Sequence, residues 1–312
     1  MFSYSRVVSI AVTLTLLLPL QTLSESQQVS TTPELIMLTV TVKNRAGEYV
    51  MGLDRNAFHL IDEKEVRPIE FLESSDNPLS LGILIDTSGS MIFHDLKEFA
   101  QAQSLGKAMS GVVGPSHNDN EYFLMAFAGN PLLNTDWMSG KTLLDLKPEL
   151  KKKKSGETAL YDVCLAAVAK LTTGRHSKKA MVLVSDGIDN ASKHSLKDVK
   201  NVLKNLNVIV YGILVRNLRD LSDQPIEGER VMNELTNTGG GETLIARNKR
   251  ELEQSVEMIA VQLRHQYQIG FKSAGGPPNK WHRVNVRVSI PSMGHPEFDR
   301  LSIQTRQGYY SR

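Results

Sequence analysis

Apolar and polar residues alternate at both ends of the chain but not in its middle. Between Glu34 and Leu72, Ile36, Leu38, Val40 and Val42 alternate with Met37, Thr39 and Thr41, which predicts a strand with one buried face. Asn44 to Glu48 predicts a turn, and Phe58 with Leu60, then Ile69 with Phe71, continue the alternation around a polar Asp62-Glu63-Lys64 turn. The same signature returns at the far end, in Tyr267, Ile269 and Phe271, then Val284, Val286, Val288 and Ile290, and finally Leu301 and Ile303. Between Pro78 and Arg264 the short apolar runs Leu81 to Ile85, Tyr122 to Phe127, Met181 to Val184 and Val208 to Val215 alternate with helical patterns, which predicts a mostly parallel sheet covered on both faces. Ser195 followed by Asp198 makes a capping-box start for a helix over Leu196 to Leu206. A closing helix over Lys249 to Arg264 carries Leu252, Val256, Ile259, Ala260 and Leu263 on one stripe and runs almost directly into Tyr267.

Each terminal β segment has roughly 40 residues, a size that rarely builds a sufficient core unaided. The expected organisation is therefore an α/β domain at 77–265, inserted in a small all-β, Ig-like sandwich that residues 33–73 and 266–312 assemble together. Two separate hairpin sets packed on the sheet are the alternative. The α/β part is expected to be Rossmann-like, with a central sheet flanked by helices.

Composition adds little to fold class, with 41% apolar and 22% charged residues among 312, as in ordinary folded proteins. The formal charge of +2, from 36 Lys and Arg against 34 Asp and Glu, is spread along the chain and gives no sign of a nucleic-acid surface. The basic block Lys151 to Lys154 reads as a solvated helix end. The first residues bear on the compartment: Arg6, an uncharged run from Val7 to Leu20, and Thr22-Leu23-Ser24 form the pattern of a secretory signal peptide over 1–24. An uncleaved anchor is the other reading of that run, and no second apolar stretch approaches its length. The expected location is secreted, periplasmic or cell-surface. A lone Cys164 in an apolar helical stretch cannot form an internal disulfide and reads as a small buried side chain.

The chemistry concentrates on three loops. Asp86 ends the apolar strand and opens Asp86-Thr87-Ser88-Gly89-Ser90, ahead of a helix over Phe93 to Met109, at the strand end where open α/β sheets usually bind ligands. Alternate positions of an extended turn face one way, so Asp86, Ser88 and Ser90 can converge. Thr158, in Gly156-Glu157-Thr158, and Asp186, in Ser185-Asp186-Gly187, supply further oxygens. Three hydroxyls and two carboxylates without His or Cys suit Mg²⁺, Mn²⁺ or Ca²⁺ rather than zinc. With hydroxyls bound directly and the carboxylates acting through water, such an ion keeps most of its charge and favours an anionic sixth ligand. Glu157 reads as solvent-facing and Asp189 as a loop cap, and neither is counted among the ligands.

These five positions resemble, in order and loop placement, the metal-ion-dependent adhesion site of the von Willebrand factor type A fold. The resemblance covers about Pro78 to Arg264. It implies direct ligation by Ser88, Ser90 and Thr158, water-mediated contact from Asp86 and Asp186, and a protein partner whose Glu or Asp completes the coordination. The whole chain, including Gly308-Tyr309-Tyr310, resembles a group of exported bacterial proteins usually called VWFA-related.

Enzymatic readings lack required residues. A haloacid-dehalogenase-like phosphatase needs a second Asp where this chain has Ser88, and a hydroxyl is a poor acid or base near neutral pH. Gly140-Lys141-Thr142 lacks the earlier glycine of a phosphate-binding loop, and there is no HExxH pair or GxSxG elbow. No covalent chemistry is expected. The rival to metal-dependent protein binding is a structural or assembly role in the envelope, in which the metal only staples the loops. The polar stretch Arg216 to Arg230 is long for a connection after a strand and reads as a loop that is either mobile or in contact with the partner.

Overall fold

The computed structural model describes residues 33–75, 77–91, 119–129, 131–145, 157–216, 224–290 and 300–311. The signal-peptide segment, the helix expected over Phe93 to Met109 and the Lys151 to Lys154 block lie outside these residues.

In chain order the N-terminal strands are β1 (Leu35–Lys43), β2 (Phe58–Asp62), β3 (Glu65–Arg67) and β4 (Ile69–Ser75). The central region supplies β5 (Leu79–Asp86), β6 (Glu121–Phe127), β7 (Pro131–Asn134), β8 (Met138–Ser139), β9 (Lys178–Ser185), β10 (Val208–Val215) and β11 (Thr243–Ala246). Its helices are α1 (Gly140–Asp145), α2 (Leu160–Thr172), α3 (Leu196–Asn205), α4 (Gln224–Gly239) and α5 (Lys249–Arg264). The C-terminal strands are β12 (Gln266–Lys272), β13 (Trp281–Val288), β14 (Ser302–Gln304) and β15 (Gly308–Tyr310).

The central sheet has the order β11-β10-β9-β5-β6-β7, with β8 also pairing β6. The pairs from β11 through β6 are parallel, and β7 and β8 are antiparallel at the edge. Strands β5, β6 and β10 are buried at every position, as continuous apolar runs demand of a sheet covered on both faces. One face packs on α5 through Leu252, Val256, Ile259 and Leu263, and the other on α2, α3 and α4. The capping box at Ser195 and Asp198 is present, with Ser195 Oγ and the Asp198 carboxylate satisfying each other's backbone N–H.

The chain ends form two four-stranded sheets, ordered β14-β1-β12-β4 and β15-β13-β2-β3. They share one core, in which Leu38, Val40 and Leu60 from the N-terminal side meet Tyr267, Ile269 and Val286 from the C-terminal side. Helix α5 passes into β12 through the single residue His265, and β12 pairs with both β1 and β4. Polar contacts join this part to the central region: Lys43 Nζ lies 2.9 Å from Glu242 Oε1, Gln262 Nε2 donates to Gln304 Oε1, and Gln266 Nε2 donates to the Tyr211 hydroxyl.

Two features depart from the sequence reading. Ile69 and Phe71 do not share a buried face: Ile69 is buried, whereas Phe71 is exposed. The register against β12 steps from Gly270 opposite Phe71 to Phe271 opposite Ile69, so Glu70 is an extra residue and the bulge turns Phe71 outward. The stretch Arg216 to Arg230 is also not one loop, because Gln224 to Arg230 already belong to α4.

The shared core holds a buried polar cluster. Tyr309 Oη donates to Asp62 Oδ2 at 2.9 Å, the His282 ring stacks on Tyr309 at 5.0 Å, and both Asp62 and Tyr309 are buried. Replacing Tyr309 with Phe removes a donor from a buried carboxylate and is expected to cost about 1–3 kcal/mol. In urea unfolding the midpoint should fall with the slope unchanged. An unmoved midpoint would mean that this C-terminal strand does not hold the N-terminal ones.

Candidate metal centre

Strand β5 has β6 on one side and β9 on the other, so the chain reverses its direction of sheet growth beside β5. Such a switch point leaves a crevice at the carboxyl ends of the strands. Asp86 is the last residue of β5 and Ser185 the last of β9, and the pairing of Ile85 with Val184 sets them side by side. Ser185 Oγ donates to Asp86 Oδ2 at 2.7 Å and accepts the Gly187 N–H at 3.0 Å. The other carboxylate oxygen, Asp86 Oδ1, accepts the Ser88 N–H at 2.9 Å and fixes the turn that follows. The turn continues into a short 3-10 element, Gly89–Met91, and Ser88 Oγ and Ser90 Oγ share a hydrogen bond of 3.0 Å across its start.

The three loops are stitched together directly. Thr87 donates through both its N–H and its hydroxyl to the Phe127 carbonyl at the end of β6. Next to that strand end, the Ala128 carbonyl accepts the Ala159 N–H, and so positions the loop of Thr158. Thr158 is buried; its N–H donates to Asn190 Oδ1 at 2.7 Å, and its carbonyl accepts the Asn190 and Ala191 N–H groups. Asp186 is half-buried, and its Oδ1 accepts the Ile188 N–H at 3.1 Å.

All five residues expected from the sequence therefore lie at this sheet edge. Asp86, Ser88 and Ser90 form one linked turn, Asp186 is close enough to act electrostatically on Asp86, and Thr158 joins through the backbone of the Asp186 loop. Glu157 is exposed, with its side chain over Gly129. Asp189 caps: its carboxylate accepts the Tyr161 N–H at the start of α2 and the Ser192 hydroxyl. Buried Cys164 sits in the core under α2, where desolvation pushes its thiol up to about 12 and makes it inert at neutral pH.

Sequence reasoning passed over three contributors. Ser185 orients Asp86, Asn190 ties the Thr158 loop to the Asp186 loop, and Gly228 of α4 packs against the Asp186 carbonyl. The first two adjoin residues already singled out, and a hydrogen-bonding side chain next to a candidate ligand was the available signal. Gly228 is more than 40 positions beyond Asp186, and nothing local marks it. Ser185→Ala leaves the Gly187 N–H without its acceptor and Asp86 Oδ2 without its donor, which should cost about 1–2 kcal/mol in a thermal melt. Because that donor lowers the Asp86 pKa, its loss should raise it further, as a carboxyl-resonance titration would read.

Burial, and then the charge of Asp186, push the Asp86 carboxyl up from 3.8 to about 6. Among the described residues no three His, Cys, Asp or Glu side chains group as a metal site, so the side chains that could join Asp86 and Asp186 around a cation are hydroxyls. The Ser88 and Ser90 oxygens fit that role: adjacent ligands around an octahedral Mg²⁺ at about 2.0–2.1 Å lie about 3 Å apart, and these two lie 3.0 Å apart.

Residues 81–188 match the family model described as von Willebrand factor type A domain, a span that includes all five site residues. No curated protein matches the chain. Among solved structures, the conserved hypothetical protein BatB from Bacteroides thetaiotaomicron is similar at 16% identity over 59% of this chain and 98% of its own, with a TM-score of 0.38. A von Willebrand factor type A protein from Catenulispora acidiphila is similar at 10% identity over 91% of this chain and 75% of its own, with a TM-score of 0.40. The pilus adhesin SpaC from Lactobacillus rhamnosus GG is similar at 12% identity over 84% and 50%, with a TM-score of 0.47. The matched stretch runs from the strand carrying Asp86 to the loop carrying Asp186, and over it the middle of this chain is similar to von Willebrand factor type A domains.

Proposed function

We propose that the chain is an extracytoplasmic protein-binding module of the adhesion type, whose metal-ion-dependent adhesion site holds Mg²⁺, with Mn²⁺ or Ca²⁺ as substitutes. In this reading Ser88, Ser90 and Thr158 ligate the cation directly, and Asp86 and Asp186 act mainly through water. A cation held largely by neutral hydroxyls keeps an electrophilic position for a Glu or Asp of a partner protein. The observation that carries the proposal is the convergence at one sheet edge of two carboxylates, one of them with its pKa raised to about 6, with hydroxyls spaced for a hard cation. No covalent step is part of it. Export rests on the charged, apolar and small-residue pattern of residues 1–24. No described helix is long and apolar enough to cross a membrane.

The alternative, an envelope assembly role in which the metal merely staples the loops, has less to explain. The loops are already joined by Ser185 to Asp86, Thr158 to Asn190 and Ala159 to Ala128. Capture of envelope proteins on the immobilised chain, with Mg²⁺ and with chelator, separates the two readings. Binding lost with chelator and with Asp86→Ala supports the adhesion reading. Capture that survives both treatments while the melting temperature shifts would favour the staple.

A further inference from the structure

Away from the metal centre, a cleft of about 220 Å³ opens where α3 and α4 meet the C-terminal strands. One wall is the half-buried Trp281 indole. It is held firmly: Tyr310 packs edge-on at 5.0 Å, and the indole lies so close over Gly308 that a Cβ there would fall 2.5 Å from Trp281 Cζ2. Around it stand Lys200 and Lys204, one turn apart on α3, with Lys204 reaching over the indole, and Asn237 and Thr238 from the last turn of α4, while Gln307 joins from beside β15.

The charges in this cleft are countable. Lys200 Nζ is 2.5 Å from Glu234 Oε2, and Glu234 also pairs with Arg230, which pairs in turn with Glu227, so this four-membered cluster is neutral overall. Lys204 Nζ lies 4.9 Å from the Trp281 ring centroid, and among the described residues no carboxylate pairs with it. An ammonium over an indole face still has N–H groups turned away from the ring that can donate to an anion. The cleft therefore offers one uncompensated positive charge, a flat aromatic wall and several neutral hydrogen-bonding groups. Its volume is below the usual range for drug-sized ligands, about 300–1,000 Å³, and admits one ring-sized unit.

We propose that this cleft binds a carboxylated sugar, a hexuronic acid unit, free or within a polysaccharide. The pyranose ring takes the place of the Lys204 ammonium over Trp281, whose electron-rich face attracts the ring's polarised C–H groups. The single carboxylate meets Lys204, and the hydroxyls reach Asn237, Thr238 and Gln307. An acidic peptide would satisfy Lys204 but would leave the aromatic wall without a flat partner. The site needs no divalent cation and is independent of the metal centre.

The test uses the full chain carrying Trp137→Phe, so that Trp281 alone reports by fluorescence, in buffer with chelator. Glucuronic acid, a trigalacturonate, glucose and hexaglutamate are titrated in parallel, with calorimetry as a second readout. Saturable change is expected with the uronic acids, at least tenfold weaker for glucose and for hexaglutamate. Lys204→Glu should weaken uronide binding at least tenfold while the thermal melt stays in place. Thr238→Val, a milder change at the same wall, should weaken it about threefold. Trigalacturonate binding well above the monomer identifies a polysaccharide ligand; equal binding identifies the free sugar acid, and either supports the site. Absence of saturation with both uronides, equal or tighter binding of hexaglutamate, or full binding by Lys204→Glu would overturn it.

Discussion

Replacing Asp86 with Asn is expected to make the metal-free protein more stable at pH 7 and to erase its stabilisation by Mg²⁺. Asp86 is 2% exposed, and its carboxyl is held at about 6 rather than 3.8. Between those values the folded protein keeps a proton that the unfolded chain has already lost. Stability from this group is therefore complete below about 3.8, falls as pH rises, and is lost above about 6. A shift of that size corresponds to about 3 kcal/mol. Asn carries no charge, and its Oδ1 can still accept the Ser88 N–H. Its amide group instead faces Ser185 Oγ, which must turn its own proton away from its present acceptor. The net gain for Asp86→Asn should thus be about 1–2 kcal/mol, less than the full electrostatic cost.

With Mg²⁺ the order reverses. A cation present at 100 times its dissociation constant stabilises the wild type by about 2.7 kcal/mol, or roughly 5–10 °C for a domain of this size. The variant should show no such shift. Thermal melts of both proteins from pH 4.5 to 7.5, with chelator and with Mg²⁺, read both effects. A metal-free Asp86→Asn protein that melts well below the wild type at pH 7 would show that Asp86 is a structural acceptor rather than a strained carboxylate.

The second large effect is expected at Gly228, where helix propensity and packing oppose each other. Within a helix Ala is favoured over Gly by about 1 kcal/mol, so α4 considered alone would be strengthened by Gly228→Ala. In the folded protein a Cβ at this position would lie 2.0 Å from the Asp186 carbonyl oxygen. That backbone cannot easily yield. Gly187 has a φ of +80°, and a Cβ on it would in turn lie 2.3 Å from the Gly228 carbonyl oxygen. The Gly187 N–H is also held by Ser185 Oγ. The helix must move instead, and overpacking of this kind should destabilise by about 3 kcal/mol despite the propensity gain. Because the displaced partner is the Asp186 loop, the Mg²⁺-dependent rise in melting temperature should also shrink. Gly89→Ala is the control: no atom of a described residue lies within 4 Å of its added methyl, so its stability should change by less than about 0.5 kcal/mol. A Gly228→Ala protein more stable than wild type would rule out the close contact.

Much of this architecture is legible one segment at a time. Continuous apolar runs mark β5, β9 and β10 because a strand buried on both faces has no polar side to show, and the Lys249 to Arg264 stripe marks α5. Alternation marks β1, whose Ile36, Leu38, Val40 and Val42 are all buried. The same logic misleads at Ile69 and Phe71, because one bulged residue inverts the alternation and only the partner strand reveals it.

Local pattern suffices to place Asp86, Ser88, Ser90, Thr158 and Asp186, the proposed hard-oxygen ligands, on the loops at one end of the sheet. What surrounds them depends on how distant segments pack. Parallel pairing of β5 with β9 brings Ser185 onto Asp86, and burial with a second carboxylate nearby raises the Asp86 pKa. The approach of α4 makes Gly228 part of the site's wall, and the meeting of α3, α4 and β13 creates the Trp281 cleft. These depend on distances between segments far apart in the chain, and residue spacing along a sequence does not encode such distances.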